Sequence, residues 1–117
     1  MAKAGTATRE QHRVIGPEQV ILKVQELRRI LRAQDLDMIA VYLYGSYAAG
    51  TADADSDIDV AVVSPDLTGD RLQDWVRLTT LATRLDARFE VIGFRPEQFR
   101  DEHPLAWEVK TRGILVQ

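Results

Sequence analysis

Apolar residues recur along the chain with two periods, and the switches between them divide it into elements. Val20, Val24, Leu27 and Leu31 repeat every three or four residues, widened by Ile21 and Ile30. This spacing predicts an amphipathic helix over Pro17–Gln34. Gly16-Pro17 starts it and Glu18 suits its first turn. Arg28, Arg29 and Arg32 gather toward its C-terminal end, where the dipole favours cations, and they read as a solvated helix face. Met38–Tyr44 (MIAVYLY) is an unbroken apolar run and predicts a strand covered on both faces. A turn-rich stretch follows, and Ile58–Val63 (IDVAVV) predicts a second buried strand, closed by Ser64-Pro65. Leu72, Trp75, Leu78, Ala82 and Leu85 fall on or near one face of a helix over Asp70–Leu85. Arg88–Phe94 (RFEVIGF) predicts a third strand, Pro96–Arg100 one short helical turn, and Pro104–Arg112 a last helix stopped by Gly113. Ile114–Val116 adds a short terminal strand. Residues 1–13 are small, polar and aperiodic and read as a mobile arm, leaving 14–117 as a single domain.

Helix, strand, loop, strand, helix, strand, helix is the order of an α/β (α+β) fold, a small mixed sheet flanked by helices. At 117 residues the chain has room for one core and little for a separate substrate domain. A net charge of −3 supplies no global positive field for nucleic acid or anionic membrane. The absence of cysteine removes disulfides, thiolate metal sites and cysteine nucleophiles together. No apolar run approaches bilayer length, and the N-terminus lacks the apolar core of a signal peptide, so the expected location is the cytoplasm.

The chemistry is concentrated in Tyr44–Val60, YGSYAAGTADADSDIDV. Asp57 and Asp59 are two apart at the start of a strand, so both project to one side. Carboxylates held side by side repel unless a cation lies between them, and hard oxygen donors suit Mg²⁺ or Mn²⁺. Gly45-Ser46 directly follows a buried strand. Glycine lets backbone approach a ligand, and a turn there exposes N–H groups beside the serine hydroxyl, as a phosphate requires. Gly50 permits a further tight turn. Glu90, amid the apolar residues of the third predicted strand, is the best third carboxylate, because a charge in a core strand is costly unless paired or metal-bound. Asp86 is the fallback.

Each of these residues also has a plainer reading. Asp53, Asp55, Asp57 and Asp59 alternate as in an EF-hand loop, but Ile58 stands where that loop needs glycine and Ser64 where it needs glutamate. Asp53 and Asp55 are therefore an Asp-rich turn. Gly45-Ser46 alone would be a simple turn, and its spacing to the acids argues otherwise. Tyr42, Tyr44, Trp75 and Trp107 read as core or interface. Tyr47 divides between stacking near a nucleotide and packing at the surface. His12 and His103 are isolated, and Lys110 and Arg112 suit a helix C-terminal end.

The segment resembles the nucleotidyltransferases of the DNA polymerase β superfamily, whose signature is Gly-Ser, ten residues, then Asp-x-Asp. Here Gly45-Ser46 is followed by ten residues and Asp57-Ile58-Asp59. GSYAAGTADADSDID is similar to the GSxARGxxxxxSDxD pattern of the minimal nucleotidyltransferases, with Ala49 in place of the arginine. The stretches around Phe89, RPEQF and HPLAWEVKTRGILV resemble that family's tail and align Glu90 with its third carboxylate. The resemblance implies a polymerase β palm-like fold, a catalytic Mg²⁺ or Mn²⁺ held by Asp57, Asp59 and Glu90, and a nucleotide bound at Gly45 and Ser46. It also implies attack of an acceptor hydroxyl on the α-phosphate of ATP or another nucleoside triphosphate, with Glu90 accepting the proton. The expected partner is a helical HEPN-type toxin, modified with AMP on tyrosine, this chain being the antitoxin. Two other functions stay open: a small-molecule transferase of the aminoglycoside type, and a non-catalytic nucleotide-binding or masking module, to which Ala49 gives weight. Homo-oligomers remain possible; direct nucleic-acid binding is not expected.

Overall fold

The computed structural model describes residues 15–117; the expected arm and His12 lie outside the described residues. Helix α1 (Pro17–Arg32) leads to strand β1 (Ala40–Tyr44), a four-residue helix α2 (Ser46–Ala49) and strand β2 (Ile58–Val63). Helix α3 (Arg71–Thr83), strand β3 (Phe89–Phe94), a 3₁₀ turn over Pro96–Gln98, helix α4 (Pro104–Arg112) and strand β4 (Ile114–Leu115) complete it. The strands form one mixed sheet ordered β3-β2-β1-β4. β1 runs antiparallel to both β2 and β4, whereas β2 and β3 are parallel. A parallel pair needs a crossover, and α3 supplies it. No helix among these residues is long and apolar enough to cross a membrane.

Alternation along the strands gives the sheet two unlike faces. Val41, Leu43, Ile58, Val60, Val62, Phe89 and Val91 are buried against Val20, Val24, Leu27 and Leu31 of α1 and against Leu78 and Ala82 of α3. The opposite face carries a smaller cluster, Ala61, Val63 and Phe94 under Ala106 and Val109 of α4. α4 covers only part of that face, and the remainder holds the polar residues described below.

Several expectations are corrected. β1 is not covered on both faces: Val41 and Leu43 are buried but Ala40, Tyr42 and Tyr44 are only half-buried, because their face is the one α4 leaves partly open. Residues after Gly45 form a short helix, not an open turn. α1 ends at Arg32 rather than Gln34, with Asp35 at φ 65° closing the exit turn. α3 is capped by Asp70, whose carboxylate accepts from Gln73 N at 3.0 Å, and its buried face is rotated from the predicted one. Leu72 is 68% exposed, whereas Asp74 is 1% exposed. Asp74 accepts from Thr68 N (3.0 Å), Thr68 Oγ1 (2.8 Å) and Gly69 N (3.0 Å), tying down the β2–α3 loop. A carboxylate can be buried when its oxygens are satisfied in this way. Trp107 is 46% exposed and so is not a core residue.

Candidate active site

The parallel and antiparallel registers align three residues in one row. Asp59 of β2 lies opposite Tyr44 of β1 on one side and Glu90 of β3 on the other. Residues opposite one another share a face, so all three side chains stand on the sheet surface that α4 leaves open. Asp57 precedes β2 and adds its carboxylate to the same spot. One carboxylate oxygen from each of Asp57, Asp59 and Glu90 lies within 4.8 Å of the others. Asp86 is elsewhere. It bonds Arg88 Nη2 at 2.8 Å and Lys23 Nζ at 3.1 Å, so its charge is already matched. Burial alone would raise its pKa, but the bonds from Arg88 and Lys23 outweigh burial and hold it well below the usual carboxylate range.

The electrostatics of the row follow from its crowding. Asp59 is pushed up from 3.8 to about 6, first by burial and then by the charges of Glu90, Asp57 and Glu108. The Tyr44 hydroxyl is pushed above its ordinary range by burial and then by Asp59, Glu90 and Glu108, with Arg71 opposing. Tyr44 therefore keeps its proton. Like charges this close favour either a proton or a cation among them. Glu108, on α4, is the acid that sequence spacing missed: it sits 18 residues beyond Glu90 and reaches the site only because α4 folds back over the sheet.

Gly45 joins this cluster to the start of α2. It has φ 74°, a left-handed conformation that favours glycine. A Cβ at this position would fall on Asp59 Oδ2, so no side chain fits between backbone and carboxylate. Gly45 O accepts from Ala49 N at 3.0 Å, which closes the turn. The first N–H groups of α2 have no acceptor within the helix, as is general at helix starts, and so can donate to a ligand. Tyr47 packs partly buried against the larger core cluster, with its hydroxyl beside the Arg88 guanidinium. It is packing, not a stacking platform. The Asp-rich loop is self-supporting: Asp53 Oδ1 accepts from Asp55 N at 2.8 Å, and Ser56 Oγ accepts from Asp53 N at 2.8 Å.

Two strand ends and a glycine elbow thus place three acids beside the start of α2. The family model described as "Nucleotidyltransferase domain" matches residues 24–112. The chain belongs to this nucleotidyltransferase family. Protein adenylyltransferase MntA of Shewanella oneidensis is 34% identical over 74 residues, 63% of this chain and 52% of that protein. The match thus spans about half the length of that curated relative. A crystal structure of a toxin–antitoxin with AMP-PNP is similar at a TM-score of 0.60 and 30% identity, over 83% of this chain and 72% of that one. A mutant of the toxin–antitoxin MntA-HpeT is similar at 0.57 and 30%, over 80% and 70%. The mixed sheet with flanking helices is therefore the nucleotidyltransferase fold, and the acidic cluster is consistent with the metal site of such proteins.

Proposed function

We propose that this chain is a protein adenylyltransferase that moves AMP from ATP to a tyrosine hydroxyl of a helical HEPN-type toxin, acting as its antitoxin. The observation that carries the reading is the convergence of Asp57, Asp59 and Glu90 beside the Gly45 elbow in a nucleotidyltransferase fold. The relatives supply the direction: one bears the name protein adenylyltransferase, and a similar toxin–antitoxin was crystallised with AMP-PNP.

The residues fit a divalent cation of the Mg²⁺ or Mn²⁺ class. All donors are hard carboxylate oxygens, and Asp59 ionises reluctantly in their company. When bound, the cation supplies positive charge that holds the triphosphate and stabilises charge on the reacting oxygens. Asp57, Asp59 and Glu90 hold it. Gly45 N–H and Ser46 bind phosphate oxygens. Glu90 accepts the proton of the acceptor tyrosine as its oxygen bonds to the α-phosphorus. The bond from that phosphorus to the bridging oxygen breaks, and pyrophosphate leaves with its electron pair.

The test is direct. The protein is incubated with ATP, Mg²⁺ and a HEPN-type helical partner, and the partner is weighed by mass spectrometry. AMP additions on tyrosine, abolished by Asp57→Asn, are expected. Tight complex formation with an unmodified partner would replace this reading with the masking module, and transfer to an aminoglycoside with the small-molecule enzyme.

A further inference from the structure

At the end of this sheet face that α4 covers stands a pair of side chains whose protons do not match. Phe94 lies on the same face of β3 as Glu90, four residues and about 13 Å along the strand. The Arg71 guanidinium stacks over its ring at 4.8 Å, and the His103 imidazole meets it edge-on at 5.4 Å. Arg71 Nη1 is 2.8 Å from His103 Nε2. At the other side of the ring, His103 Nδ1 accepts from Leu105 N (3.2 Å) and Ala106 N (3.4 Å), capping α4.

A neutral imidazole has one N–H and one lone pair. Here Nδ1 uses the lone pair on the helix cap, so Nε2 carries the proton. Arginine has donors only. The 2.8 Å contact therefore brings two N–H donors face to face with no acceptor between them. The other tautomer moves the conflict to the Leu105 and Ala106 amides, and protonating the ring creates it on both sides. One acceptor is missing from this arrangement.

Arg71 also lacks a carboxylate partner among the described residues, in contrast to its neighbours. Arg95 is paired with Glu97 at 2.6 Å, and Arg100 with Glu102 at 3.5 Å. Arg71 and His103 line a cavity of about 610 Å³, together with Gln98, Arg100, Glu97 and Glu102. Both acids of its wall are thus held by their own arginines.

We propose that Arg71 and His103 form an oxyanion-binding subsite, in which one phosphate or carboxylate oxygen accepts from both Arg71 Nη1 and His103 Nε2. It is separate from the Asp57, Asp59 and Glu90 cluster, at the α4 end of the same face, beside which an acceptor would pass. That last placement rests on the transfer reading; the binding does not.

The test uses no transfer reaction, so its failure and that of the transfer reading are distinguishable. Nitrogen NMR of the imidazole ring in EDTA, with His12→Ala removing the other histidine, reads the His103 tautomer directly. The Nε2–H form is expected. Titration with pyrophosphate and, separately, with N-acetylglutamate should then shift His103 Nε2 and Arg71 Nε saturably. Pyrophosphate binding more tightly identifies phosphate as the natural source, and the reverse identifies a carboxylate. His103→Asn keeps a capping oxygen for α4 and should weaken the better probe about tenfold or more, as should Arg71→Ala. An Nδ1–H tautomer would make the contact an ordinary hydrogen bond from Arg71 and overturn the proposal. So would the absence of a saturable shift with either probe, or unchanged affinity in both variants.

Discussion

Asp59→Asn should stabilise the metal-free protein at neutral pH, although it removes a charged residue from the centre of the sheet. The carboxyl of Asp59 titrates at about 6 in the fold instead of 3.8. Each tenfold change is worth 1.36 kcal/mol, so the charged form carries a penalty of ~3 kcal/mol. Asp59 is half-buried, and screening by water reduces this to roughly 1–2 kcal/mol. The sign follows from linkage. A carboxyl whose pKa is raised on folding costs nothing below its unfolded value, and the cost grows as pH rises through the folded value. The wild type should thus lose stability between pH 4 and about 6.5 through this group, and Asp59→Asn should not. Thermal unfolding in EDTA at pH 4.5 and 7.5 measures the difference. A gain of about 3–8 °C for the variant at pH 7.5, falling to roughly a third of that at pH 4.5, is expected. Adding Mn²⁺ at pH 7.5 should raise the wild type and leave the variant almost unmoved. A variant less stable than wild type at pH 7.5 in EDTA, or one with an unchanged pH slope, would show that the Asp59 charge does not destabilise the metal-free fold.

Other consequences follow from the same geometry. Glu90→Gln should lower nucleotidyl transfer by orders of magnitude while Mn²⁺-dependent nucleotide binding, measured by calorimetry, persists through Asp57 and Asp59. Asp86→Asn should leave transfer nearly unchanged but cost about 1.5–3 kcal/mol of stability at pH 7 in urea titrations, because Arg88 and Lys23 lose their charged acceptor. Since the Asp86 pKa is depressed on folding, that contribution is present above about pH 4 and fades as the solution is acidified, so mutant and wild type should converge there. Asp74→Ala should cost about 2–4 kcal/mol by stranding the Thr68 and Gly69 amides, and hydrogen exchange at those two amides should accelerate before that of β2.

The parts of the fold that were legible from sequence are those where one pattern dominates. IDVAVV could only be a buried strand, and Pro104–Arg112 carried both its start and its stop. Asp57 and Asp59 were visible because their spacing reports a shared strand face. Glu90 was visible as a charge stranded in an apolar run. Its register opposite Asp59 was not, since parallel pairing is decided by how α3 crosses the sheet. Four residues such as SYAA are too few for periodicity to reveal a helix, so the sequence predicts a turn where α2 forms. The rotation of α3 came from Asp74, whose burial depends on donors in a loop that no helical period encodes. Arg71, His103 and Glu108 come to this side of the sheet through tertiary packing alone, and nothing local to them announces it.

β2, which carries Asp59, is hydrogen-bonded along both edges, to β1 and to β3. A strand in that position does not fray by itself; its amides open only when the sheet opens. An ion held on Asp59 dissociates from the folded state in the ordinary way, but it binds only while the sheet is closed. Ion binding at this site then raises the free energy of global opening by RT ln(1 + [ion]/Kd). The slowest-exchanging amides of Ile58–Val63 should slow further in proportion to ion occupancy, by the factor 1 + [ion]/Kd. Segments at the periphery, such as the two-residue β4, exchange through local openings and should not sense the ion at all.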